Sequence, residues 1–247
     1  MRYNHSHNGI MDNKYSEARL KRPDIVYRYK MRARITVDAI NRFVEKGVFL
    51  SLLDLGSADG LTLKEINSLT NKIDFYQGIE CSDEIFLGIS KLPSNINIIR
   101  GDIMNLSEYT DNRYFDVVTA LCILEHLNDP YKALWEASNA LRPRGIFIAV
   151  WPVILWDRIF MNLAPKGEKY HHVVNISPIQ MSNMLKRVGL TPISHTKCLW
   201  LPFRFMSKSE VFNKYLLASF LRIEHILQNI KLLNWSFVCE VVIARKS

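Results

Sequence analysis

The sequence predicts a doubly wound α/β sheet, and three observations carry that expectation. Strand and helix signals alternate five times between residues 27 and 151. The strand runs are short and continuously apolar, as parallel strands covered by helices on both faces require. At 247 residues with 48% hydrophobic side chains, the chain can bury the core of one large domain.

The elements follow in order. Residues 1–20 read as a weakly ordered leader. From Tyr27 to Lys46, Met31, Ile35, Val37, Ile40, Phe43 and Val44 recur at helical spacing, with Arg and Lys on the other side. The run VFLSLLDLG has strand length and a Gly stop. A helix is expected from Leu61 to Leu69, a strand from Phe75 to Cys81, and a helix from Asp83 to Lys91 that ends before Pro93. Ile96 to Arg100 is the third strand, closed by Gly101-Asp102, and Phe115 to Leu121 is the fourth. Asp129-Pro130 supplies an N-cap and a first-turn Pro for a helix through Leu141. Pro143 and Gly145 stop it before the fifth strand, GIFIAVW. In the last third, Ser177-Pro178-Ile179-Gln180 opens a capping-box helix to Val188. Residues 191–201 follow, then a long helical pattern over 208–233 whose stripe is Phe212, Leu216, Phe220, Ile223, Leu227 and Ile230. A β-branched strand from Trp235 to Ala244 closes the chain.

Composition narrows the class. Charged residues at 23%, with 10 Gly and 9 Pro, exclude collagen-like, low-complexity and wholly disordered chains. No apolar stretch approaches the roughly 18 residues that a spanning helix needs. The polar amino terminus shows no signal-peptide core, so the expectation is a cytoplasmic protein. Cys81, Cys122, Cys198 and Cys239 lack CxxC or Cys/His ligand spacing and read as reduced and mostly buried. His171 and His172 are adjacent, point apart on any regular element and have no ligand at metal spacing nearby, so no metal site is expected. Six of the eight net positive charges fall within residues 2–46. They suit a phosphorylated ligand, a nucleic acid or an anionic membrane surface, or simply a solvated helix face.

The sharpest chemical signal is the end of the first strand, Asp54-Leu55-Gly56-Ser57-Ala58-Asp59-Gly60. Ligands of open α/β sheets bind outside the carboxyl ends of the strands, near the switch in strand order. A Gly-rich turn there brings the ligand close to backbone N–H groups. A dinucleotide fingerprint needs Gly at G-x-G-x-x-G, whereas Gly56 is followed by Ala58 and Leu61, which argues against a pyrophosphate cradle. Glu80 ends the second strand, where a carboxylate accepts two ribose hydroxyls. Asp102 and Ile103 follow the third, where an acid and an apolar side chain suit an exocyclic amine and an adenine face.

On these residues, roughly from Phe49 to Ala244, the chain resembles the class I S-adenosylmethionine-dependent methyltransferases. Motif one matches Asp54-Leu-Gly56-Ser57-Ala58-Asp-Gly60, with Ala58 in place of the family's middle glycine. The resemblance implies a Rossmann-like seven-stranded sheet ordered 3-2-1-4-5-7-6 with strand seven antiparallel, and S-adenosylmethionine as cofactor. It makes Glu80 the ribose ligand and Asp102 and Ile103 the adenine-side residues. Phe115 to Leu127, including Leu121, looks like the fourth-strand motif and its loop. It divides the chain into a leader and helical lid, residues 1–48, and a methyltransferase domain, residues 49–247, with a helical insertion at 203–233.

Methyl transfer from a sulfonium needs alignment and exclusion of water, and needs a base only when the acceptor carries a proton. His126 is the candidate catalytic base, the alternative being a packing histidine at a helix end. Tyr27, Arg28 and Tyr29 are candidates to close over the site. The Asn/Asp-Pro-Pro-aromatic run and the Pro-Cys nucleophile of nucleic-acid methylating relatives are both missing, which disfavours a nucleic-acid partner. The expected partner is a small-molecule acceptor, lipidic or glycosylated, methylated on O or C. A homodimer, peripheral contact with a membrane and a cofactor-binding regulator without turnover stay open.

Overall fold

The computed structural model describes residues 13–45, 49–111, 113–163, 172–200, 219, 221–224, 226–228 and 230–247. Seven strands form one sheet in the order β3-β2-β1-β4-β5-β7-β6. They are β1 (Ser51–Leu55), β2 (Phe75–Glu80), β3 (Ile96–Arg100), β4 (Phe115–Leu121), β5 (Leu141–Pro152), β6 (Leu190–Trp200) and β7 (Phe237–Lys246). The first five run parallel, and β7 lies antiparallel between β5 and β6. The order reverses between β1 and β4, whose ends pair as Leu55 with Ala120. That reversal opens a crevice at the carboxyl edge.

Alternation along the strands divides the core into two layers. Leu53 and Leu55 of β1 join Val118, Ala120, Phe147 and Ala149 on one face, beneath α5 (Pro130–Ala140) and α7 (Pro178–Arg187). Leu52 joins Val117, Ile146 and Ile148 on the other, beneath α2 (Pro23–Phe43) and α3 (Leu61–Leu69). Each fully buried Leu or Ile contributes about 1.5–3 kcal/mol. The expected caps form: Asp129 accepts from Lys132 N at 3.0 Å, and Ser177 and Gln180 close a reciprocal capping box. A short α4 (Asp83–Leu87) begins at its cap Ser82.

Three departures from the sequence reading bear on the site. Residues 13–21, expected within a leader, form α1 (Asn13–Lys21), which packs on α2. Residues 154–163, to which the sequence reading assigned no element, form α6 (Ile154–Leu163). The third concerns the expected stripe over 208–233. Phe212, Leu216 and Phe220 lie outside the described residues. In the described remainder Ile223 and Ile230 are exposed, while Leu221 and Glu224 are buried. The buried face is therefore turned away from the expected one. Glu224 accepts from Leu199 N at 2.7 Å and Trp200 N at 3.3 Å, capping the end of β6 with a buried carboxylate. Leu221 packs with Tyr27, Met31, Leu121 and Val150, which sets this segment beside α2 and the carboxyl ends of β4 and β5. Among the described residues no helix is long and apolar enough to cross a membrane.

Candidate functional site

A cleft opens at the carboxyl ends of β1, β2 and β4, lined among others by Asp54, Gly56, Ala58, Glu80, Ile103, Leu121 and His126. Its floor is the turn after β1. Gly56 N and Ser57 N both donate to Ile79 O, at 2.9 and 3.0 Å, and Ala58 N donates to Glu80 Oε2 at 2.9 Å. The turn needs left-handed backbone at Gly56 (φ 71°), Ala58 (φ 49°) and Gly60 (φ 76°). At Gly56 a Cβ would stand 2.8 Å from Ile123, so Gly is required there by space as well as by φ. Ala58 takes this conformation with a side chain, at a cost of about 1 kcal/mol.

The acids take different positions. Glu80 is buried, with Oε1 accepting from Ser82 N at 2.7 Å and Oε2 from Ala58 N. Burial raises its pKa, and the backbone donors partly oppose the rise. A carboxylate has about four acceptor positions, so two remain for a ligand. Asp54 is also buried; Thr119 Oγ1 donates to its Oδ1 at 2.6 Å, and burial pushes its pKa to about 6. Asp102 Oδ1 accepts from Met104 N, capping the 3₁₀ turn that presents Ile103 to the cleft. Ser57 does not face the ligand space. Its hydroxyl lies against Gly78, where a Cβ would meet it at 2.4 Å, so its contribution is through its backbone. Gly60 serves as the N-cap residue of α3.

The far wall is Leu121, Cys122, Ile123, Leu127 and His126. His126 meets the ring of His172 edge-on, with centroids 4.8 Å apart. His172 Nδ1 lies 2.7 Å from Asp157 Oδ1 on α6. The carbonyl of Glu125 accepts from Val173 N and Val174 N, which fixes the segment carrying His172 against the loop after β4. Glu125 itself is buried, and desolvation, then the Cys122 thiol, push its pKa to about 8 against the pull of His172.

Sequence reasoning missed both cations of the cleft. Arg19 and Arg32, on α1 and α2, line it and are buried. Arg19 pairs with Asp59 at 3.1 Å and donates to Thr62 Oγ1 at 3.0 Å. Basic residues on amphipathic helices read as solvated, and only the packing of α1 and α2 over the sheet turns these two inward. His172, a weaker candidate base than His126 in the sequence, has Glu125 and His126 as its neighbours in space. His171 lies outside the described residues.

Parallel strands with a crevice at their switch point, a backbone-lined turn and an acid at the second strand tip are the arrangement in which open α/β sheets bind nucleosides. The family model of the methyltransferase domain matches residues 53–149. The ubiquinone biosynthesis O-methyltransferase of Hydrogenovibrio crunogenus is 24% identical over 156 residues, 57% of this chain. The match spans 61% of that relative's length. The plantazolicin methyltransferase BamL, solved with a desmethylplantazolicin analogue and S-adenosylhomocysteine, superposes with TM-score 0.65 at 16% identity, over 95% of this chain and 90% of that one. A methyltransferase of Haloferax volcanii in complex with its Trm112 activator gives 0.63 at 14%, over 93% and 94%. Residues 53–149 thus match a methyltransferase domain, and the fold is shared with a methyltransferase solved with S-adenosylhomocysteine bound.

Proposed function

We propose that the protein transfers the methyl group of S-adenosylmethionine to an oxygen of a small, largely apolar acceptor. One observation carries the reading: the cleft is continuous from Glu80, past Ile103 and Leu121, to His126. Glu80 accepts the ribose hydroxyls, Ile103 covers the adenine and Asp102 faces its amine. Asp54 and the Gly56 turn hold the methionyl part, and the buried cations Arg19 and Arg32 complement its carboxylate. The sulfonium methyl then points toward Leu121 and His126. As the new oxygen–carbon bond forms, the carbon–sulfur bond breaks and the sulfonium becomes a neutral thioether. The hydroxyl proton passes to His126, an imidazole that lines the cleft.

The helices α1 and α2 act as the lid that keeps water from the sulfonium. The apolar far wall favours an uncharged acceptor, and the O-methyltransferase named above supports oxygen over carbon as the methylated atom. The test has two stages. Calorimetry with S-adenosylmethionine and NAD side by side should show binding of the first alone. Radiolabelled methyl transfer to a panel of phenols, aliphatic alcohols and hydroxy acids then reads the reaction. Cofactor binding without transfer to any hydroxyl would support the regulatory alternative instead.

A further inference from the structure

We propose that Glu125, His126 and His172 form a binding site for one divalent transition-metal ion, zinc by ligand chemistry, at the acceptor end of the cleft. Their ligand atoms all lie within 4.8 Å of one another. Three atoms about 2.1 Å from a common tetrahedral ion stand about 3.4 Å apart, so each ligand needs to close by less than about 1 Å. Two further features point to an ion. Glu125 is only 3% exposed, and its Oε2 has no hydrogen-bond partner among the described residues. A buried carboxylate oxygen without a donor is costly, and a cation removes that cost. The second feature is the Asp157 contact, 2.7 Å from His172 Nδ1. A carboxylate at Nδ1 fixes the proton on that nitrogen and leaves Nε2 with its lone pair as the ligand, the carboxylate–histidine–metal arrangement.

The donor set selects the ion. Two imidazoles and one carboxylate suit zinc, whereas magnesium prefers oxygen ligands and keeps its waters. Three protein ligands leave the fourth position open. Because His126 also lines the cleft, that position faces the acceptor. This role, though not the site itself, rests on the methyl-transfer reading. With the ion bound, its open position replaces His126 as the proton-removing group: a hydroxyl oxygen there loses its proton more readily, to bulk water, and His126 acts on the acceptor only through the ion.

The experiment uses the full chain, stripped of metal with a chelator and titrated calorimetrically with zinc chloride or magnesium chloride. The expected result is one zinc per chain at micromolar affinity or tighter, and no magnesium binding. His172→Ala and Glu125→Gln should abolish it, and Asp157→Asn should weaken it about 10- to 100-fold. Cofactor binding by each variant serves as the folding check, and it also separates failure of the metal site from failure of the methyl-transfer reading. Absence of zinc binding by the unaltered chain overturns the proposal. So does zinc binding that survives His172→Ala, which would place the ion on the amino-terminal histidines or the cysteines.

Discussion

Ala58 and Glu80 are joined by one hydrogen bond, yet they lead to opposite expectations. Ala58 is left-handed at φ 49° and its N–H already serves Glu80. Ala58→Gly should keep that bond and relieve backbone strain, raising the melting temperature by a few degrees for about 1 kcal/mol. A fall in melting temperature would show that the methyl group packs usefully in the cleft. Glu80→Gln keeps the shape of the side chain but removes its charge. Bonds to charged partners are worth about 1.5–3 kcal/mol and neutral ones about 0.5–1.5, so two ribose bonds predict at least a tenfold loss of S-adenosylmethionine affinity. Calorimetry reads it directly, and an unchanged dissociation constant would place the ribose elsewhere. Both residues were legible in the sequence, because strand ends and Gly-rich turns are local signals. Arg32 was not, because only a helix folded over the sheet from a distant part of the chain turns it toward the cleft.

Among the elements, the segment around Glu224 shows how hydrophobic periodicity can mislead. An acid beside an apolar stripe reads as solvent-facing, but the free N–H groups ending β6 draw it inside. Glu224→Ala leaves Leu199 N and Trp200 N without their acceptor, at about 1–3 kcal/mol each, and should lower the melting temperature by at least about 4 °C. The pH dependence follows from the same burial. Desolvation raises the folded pKa from the ordinary 4.5 to about 7, despite the two backbone donors. The folded state therefore binds the proton more tightly than the unfolded chain does. Glu224 contributes most at low pH, and its contribution is lost as pH rises through the window from about 4.5 to 7. Glu224→Gln, neutral throughout, should gain stability relative to the unaltered chain between about pH 5 and pH 8. Melting curves at both pH values read the difference, and a constant gap would mean that Glu224 does not titrate in this range. By contrast, β2, β3, β4, α3, α5 and the capping box of α7 were legible nearly residue for residue, since each carries a start or stop signal of its own.

At the scale of the molecule, α1 ties the amino terminus to the cofactor turn through Arg19, Asp59 and Thr62, while the two large core layers beneath the sheet faces do not include it. Removing residues 1–21 should therefore shift the melting temperature by only a few degrees but weaken S-adenosylmethionine binding about tenfold, roughly 1.4 kcal/mol. Equal affinity in the shortened chain would show that the helix covers the cleft without contributing to it. The reversal of strand order between β1 and β4 has a consequence of another kind. The residues that line the cleft come from the chain up to Leu127, whereas His172 and Asp157 and the segment around Leu221 come from the part after it. The cleft lining and the elements packed behind its far wall are thus encoded in successive stretches of the gene. A crossover placed between α5 and β5 would exchange the elements behind His126 while leaving the cleft lining intact, so this architecture can diversify its chemistry by recombination as well as by point substitution.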